Sequence, residues 1–219
     1  MDIEQSLVDA PGTGRGGSDP KRRQILDGAR TVFLAAGFDG ASMGEIAKAA
    51  GVSKGTLYSY FPSKEALFER LILDERNGLA EALFQLPYDD PDTRAVLRRL
   101  GLSFLEALSR PEHIASVRMV IGAAEKIPRI GRTFYEAGPC QGTRRLAAYL
   151  DRQVAAGRLA IADTAEAAAQ FLDLCSGQVM KRLLFAAAPP DRATLERQVD
   201  AALHVFFAAY RAGPGSTEA

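Results

Sequence analysis

The stretch from Ser42 to Phe61 constrains this chain more than any other part of it. It reads as two short helices joined by a tight turn. Ser42 and Glu45 have the spacing of a capping box, in which the Ser oxygen accepts from the N–H of Glu45 and the Glu side chain reaches back. Ile46, Ala47 and Ala50 then share one helical face. Gly51 sits where a left-handed residue ends that helix, and Val52 is placed to pack back into the groove. Ser53 caps a second helix from Lys54 to about Tyr60.

The second helix has a sparse core. Leu57, with Phe61 just beyond it, is its obvious buried residue, which leaves Lys54, Gly55, Thr56, Tyr58, Ser59 and Tyr60 facing outward. About two turns of helix do not stand alone, so packing must hold it. A packed helix that offers a Lys, hydroxyls and a bare Gly suits the DNA major groove. Lys54 brings charge and donors, Gly55 lets a backbone come close, and Thr56 and Tyr58 bring hydroxyl and apolar contacts. Ser42, Tyr60 and Lys64 are placed as phosphate contacts. The bland alternative is a helical hairpin with a polar face; capping, turn and sparse core together weigh against it.

These residues carry a resemblance. The run from Lys21 to about Leu71 resembles the DNA-binding domain of TetR-family transcriptional repressors. The matching residues include Phe33, Gly37-Phe38, Ser42-Met43, Ile46-Ala47, Ala50 to Tyr58, Tyr60-Phe61 and Lys64 to Leu67. The resemblance implies a homodimer built on a four-helix bundle of the last two helices, a double-stranded DNA operator and a small-molecule effector. The rest of the chain is similar to the family only in length and helical character.

Net charge is zero over 219 residues, which gives no overall polyanion signature. Between Lys21 and Lys64, seven basic residues stand against three acidic ones, a local excess of +4. A basic patch on a neutral protein fits a confined nucleic-acid footprint. The two cysteines, Cys140 and Cys175, lie in no cluster with metal-ligand spacing, so no metal or other cofactor is expected. No apolar run reaches the ~18 residues of a membrane span, and no basic-then-apolar leader is visible. A cytoplasmic protein with no membrane partner is expected.

The fold class that follows is all-α, with an N-terminal three-helix helix-turn-helix domain and a C-terminal helical bundle. Residues 1–19, rich in Gly and holding Pro11, read as a disordered tail, with Arg15 placed to act as an arm along DNA. Residues 20–73 form the DNA-binding domain, 74–212 the effector-binding and dimerisation domain, and 213–219 a flexible end. The first helix is expected from Pro20 to Ala36, stopped by Gly37. A long helix from Lys64 to Phe84 crosses the domain boundary. Further helices are expected at 92–109, 111–126, 128–137, 141–156, 164–187 and 191–212, with Gly138-Pro139 as an interruption. The last two show wider apolar coverage than one core face needs, which fits a dimer interface.

No nucleophile motif or phosphate-cradling loop stands out; the glycines of 12–17 follow no strand. The chain therefore reads as a regulator rather than an enzyme. A helical enzyme carrying a helix-turn-helix, and a constitutive DNA binder without ligand, are the alternatives. Candidate pocket residues are Phe104, His113, Val117, Met119, Ile121, Phe134, Tyr135, Phe171, Cys175 and Met180, whose character suits an apolar or aromatic effector.

Overall fold

The computed structural model describes residues 19–186 and 188–212. The expected tail arm at Arg15 and the C-terminal segment 213–219 lie outside them. The described chain is helical, and its one β contact is an isolated bridge between Leu159 and Arg211.

Four helices make the N-terminal unit: α1 (Pro20–Gly40), α2 (Met43–Ala49), α3 (Lys54–Tyr60) and the start of α4 (Lys64–Leu83). Asp19 caps α1, its carboxylate accepting from the Lys21 N–H at 2.9 Å, and Pro20 takes the first helical position. The helix breaks where the sequence places its stop, after Ala36. Gly37 turns to φ 71° and kinks the helix, but a last turn continues to Gly40. That turn delivers Phe38 into the core, where its ring lies 5.1 Å from Phe68 and 6.0 Å from Phe33. Ile25, Ile46, Leu57, Leu67 and Ile72 complete this core, all fully buried. Val120, Ala123 and Ile130, from later helices, close it from the far side.

The larger unit holds α5 (Thr93–Leu108), α6 (Pro111–Ala124), α7 (Pro128–Tyr135), α8 (Gln141–Ala155), α9 (Thr164–Leu184) and α10 (Arg192–Tyr210). Gly138-Pro139 does not interrupt the helix as expected. The chain passes through a π-helical turn, Glu136–Cys140, that joins α7 to α8. A wider turn accommodates the proline ring and its missing N–H without ending the helix. The core of this unit gathers Leu97, Leu105, Tyr149, Phe171, Val199 and Phe206. Val199 is fully buried, and a Cβ at Gly101 would stand 2.8 Å from its Cγ1, so α5 and α10 pack at backbone range here.

α4 belongs to both units. Leu67, Phe68, Leu71 and Ile72 face the first core, while the capping Phe84 faces the second and Ala80 faces the cavity beside it. Its middle is fastened sideways. Glu75 accepts from Arg30 of α1 at 3.0 Å and from the Ser116 hydroxyl of α6 at 3.4 Å, and Glu69 accepts from Thr133 of α7 at 3.1 Å.

Candidate nucleic-acid interface and effector cavity

The helix-turn-helix is assembled by the chemistry its sequence spells. The Ser42 hydroxyl oxygen accepts from the Glu45 N–H at 3.2 Å, and the Glu45 carboxylate accepts from the Ser42 N–H at 3.1 Å. Gly51 takes φ 63° after α2, and the Gln24 amide of α1 donates to the freed Ala50 carbonyl at 2.7 Å. Ser53 accepts from the Thr56 N–H at 3.0 Å, and the two hydroxyls lie 2.8 Å apart. A Cβ at Gly28 would come within 2.6 Å of the Ala50 backbone, so a glycine is required where α1 crosses α2.

Five of the seven predicted DNA-facing residues meet on one surface. Ser42, Lys54, Gly55 and Tyr58 are exposed and Thr56 is half-buried, with Tyr58 keeping 51% of its surface. Lys54 lies across α2: a Cβ at Gly44 would stand 3.2 Å from its Cε and 3.9 Å from the Ser42 hydroxyl. The ammonium thus sits at the first turn of α2, beside Ser42. Gly55 has no internal reason to be glycine. It is helical, exposed, and its nearest foreign atom to a built Cβ is 3.8 Å away. Glycine there costs about 1 kcal/mol of helix propensity relative to alanine, which points to a close approach from outside. Lys48, exposed at the end of α2, adds a cation that the sequence reading did not single out.

Tyr60 and Lys64 are turned to other work. The Tyr60 hydroxyl donates to Asp19, which holds that carboxyl below its usual range and pushes the phenol up. Lys64 donates to the carbonyl of Phe38 at 2.7 Å and of Ala41 at 3.0 Å, and its ammonium stands 4.6 Å over the Phe38 ring. The lysine satisfies the open carbonyls at the end of α1, 23 to 26 residues back in the chain. Lys64→Met should therefore lower stability by about 1–2 kcal/mol, the cost of stranding part-buried carbonyls. Thermal unfolding measures this, and an unchanged melting temperature contradicts it.

The second candidate site is a cavity of about 370 Å³ between α4, α5, α6, α7, the π turn, α8 and α9. Six of the ten predicted pocket residues line it: Phe104, His113, Val117, Phe134, Tyr135 and Met180. Four do not. Phe171 and Cys175 point into the core between α9 and α10, fully buried, and burial raises the Cys175 thiol to about 12. Met119 packs against the DNA-binding core, and Ile121 faces outward with 58% of its surface exposed. The helical period explains these misses: Leu172 and Ser176, one step beyond Phe171 and Cys175, take the wall.

Arg76, on α4, is the wall residue that matters most among those the sequence reading missed. It keeps only 6% of its surface. Its Nη1 donates to His113 Nδ1 at 3.0 Å, and its guanidinium lies 4.8 Å from the Phe134 ring centre. Arginine cannot accept, so Nδ1 does, and the imidazole proton sits on Nε2. Burial and the adjacent guanidinium push the imidazole down to about 3, which keeps it neutral.

Two family models match this chain. Residues 25–71 fit the bacterial regulatory proteins of the tetR family, and residues 95–212 fit the C-terminal domain of AefR-like transcriptional repressors. The chain belongs to the TetR family of transcriptional regulators. The family is one of DNA-binding regulators, not of enzymes. The solved structure of a TetR-family regulator from Mesorhizobium loti MAFF303099 superposes with a TM-score of 0.82 over 87% of this chain and 96% of that one, at 29% identity. The flavonoid-responsive regulator FrrA is 36% identical, with a TM-score of 0.76 over 90% of this chain and 98% of its own. The transcriptional regulator UidR of Escherichia coli K12 is 47% identical over 64 residues, 29% of this chain. That match spans a third of UidR, 33% of its length. Among the described residues no helix is long and apolar enough to cross a membrane.

Proposed function

We propose that this TetR-family regulator is a repressor that binds a palindromic operator as a homodimer and releases it when an apolar or aromatic small molecule enters the cavity. The observation that carries the proposal is the course of α4. One helix is clamped beside the recognition helix at Lys64 and, three to five turns later, walls the cavity with Arg76, Leu79, Ala80 and Leu83. A ligand that favours one position of α4 thereby favours one position of α3, and differential affinity is what a switch requires. DNA binding places the work of the protein in the cytoplasm. The aromatic wall of Phe84, Phe104, Phe134 and Tyr135 suits a flat ring system, and FrrA, similar over its full length, is named for a response to flavonoids.

On the DNA side, α3 enters the major groove with Lys54, Gly55, Thr56 and Tyr58 at base edges, while Ser42 and Lys48 meet phosphates at the flank. Phosphate contacts give salt-dependent affinity with little sequence information, whereas base contacts specify. In vitro selection on random duplexes should return a palindrome. Thr56→Ala should change the preference at one position of each half-site by about 1–3 kcal/mol. Lys48→Ala should weaken all sequences alike and flatten the salt dependence. A pool that stays random after selection with the wild type counts against the whole proposal; an unchanged preference with Thr56→Ala removes that residue from base readout.

A further inference from the structure

The polar end of the cavity presents donors and lacks a matching acceptor. Arg76 is the one cation among the described lining residues, and it is buried. Of its three nitrogens, Nη1 is bonded to His113. Nε has no hydrogen-bond partner among the described residues, and Nη2 has only the Glu75 carboxylate at 3.9 Å, beyond hydrogen-bond length. Nε and Nη2 form one edge of the guanidinium, the edge that takes a carboxylate in a two-bond fork. Glu75 does not complete that fork: its nearer oxygen stops 3.9 Å from Nη2, and the carboxylate is held by Arg30 and Ser116 instead. His113 adds no acceptor either, since its Nδ1 is used and its Nε2 carries the proton. Asp173, the one carboxylate on the wall, is exposed.

A buried guanidinium with an unbonded N–H is costly, and burial is already felt: desolvation lowers the Arg76 pKa. The remaining wall is mostly apolar, so little else there could hold a polar group in place. We infer that the effector carries an anionic oxygen, a carboxylate or an acidic phenol, on an aromatic body, and that Arg76 receives that oxygen on its Nε/Nη2 edge. The inference rests on the cavity being the effector site. Phe134, stacked against the guanidinium, fixes the plane of the fork, and the aromatic body lies along the apolar wall beyond it.

Titration calorimetry with two matched probes, para-phenylbenzoate and its neutral isostere para-phenylbenzamide, tests this on the full chain. The acid should bind the wild type roughly tenfold or more tightly than the amide, as a charge-assisted fork requires. Arg76→Met should erase that preference, the acid then binding no more tightly than the amide. A hydroxyflavone compared with the parent flavone separates the phenol from the carboxylate as the natural headgroup. Amide and acid binding equally to the wild type would overturn the role of Arg76 and leave the cavity as the effector site. Binding of none of the four compounds would overturn both. The wild-type comparison stands without any variant, so a poorly folding Arg76→Met does not spare the inference.

Discussion

A protein carrying Leu174→Asp and Val205→Asp should sediment as a folded monomer and lose operator affinity by about 10²–10⁴-fold. The expectation starts from which apolar residues of α9 and α10 their own chain leaves uncovered. Phe171, Val179, Val199 and Phe206 point inward and are buried. Leu174 keeps 37% and Val205 50% of its surface. Ala201 and Ala208 are exposed on α10, and Gly177 of α9 has open space where a side chain would be. Small and apolar residues on an outward helical face allow two helix pairs to close on one another. A two-fold axis through that face sets two recognition helices to read two half-sites about 34 Å apart or a multiple of it. A monomer holds one half-site, and the loss reflects the missing second contact rather than any damage to α3. Circular dichroism should match the wild type. A double variant that stays dimeric by analytical ultracentrifugation would move the interface elsewhere. Val199→Asp cannot serve in its place, because Val199 is core: it abuts Gly101, and a charge there unfolds the domain.

The parts of the molecule that were legible in the sequence share a physical property, which is that their causes are local. The capping box of Ser42 and Glu45, the left-handed Gly51 and the cap at Ser53 each depend on partners three residues away or fewer. Residue types at short spacing specify such features. The hold of Lys64 on the end of α1 was not legible, because its partners are backbone carbonyls more than twenty residues upstream, and carbonyls have no sequence signature. The pairing of Arg76 with His113 spans 37 residues and joins two helices whose packing no periodicity specifies. His113 was consequently legible only as a candidate pocket residue, and Arg76 was not singled out at all. Phe171 and Cys175 show the same limit within a single element. Both faces of α9 are apolar, one toward α10 and one toward the cavity, and composition does not say which residues meet empty space.

Glu75→Gln should uncouple the two sites while leaving each of them able to bind. Glu75 stands next to Arg76 on α4, and its carboxylate ties that helix to Arg30 of α1 and to Ser116 of α6. The two neighbours serve different sites although their charged ends lie 3.9 Å apart: Arg76 lines the cavity, and Glu75 reaches Arg30 of α1. On this reading an anionic ligand on the free Nε/Nη2 edge of Arg76 draws the guanidinium toward the cavity while Nη1 keeps His113, and α4 is expected to turn or slide to follow. The ion pair from Glu75 is expected to transmit that displacement to α1, and Lys64 to the last turn of α1 and Ala41, which lead into α2. In a dimer, a small tilt of each α1–α3 unit changes the spacing of the two recognition helices, so operator affinity falls by the coupling free energy, typically about 1–3 kcal/mol or 5–150-fold. The Arg30–Glu75 pair is partly exposed and contributes little to stability by itself. Its loss should therefore leave the melting temperature and the ligand-free operator affinity close to wild type. What should vanish is the response: saturating para-phenylbenzoate, which releases the wild type, should change operator affinity of Glu75→Gln by less than about twofold. Full release of Glu75→Gln by the same ligand would place the transmission in the packing of Phe68, Leu71 and Ile72 against α1 and α6, and not in the ion pair.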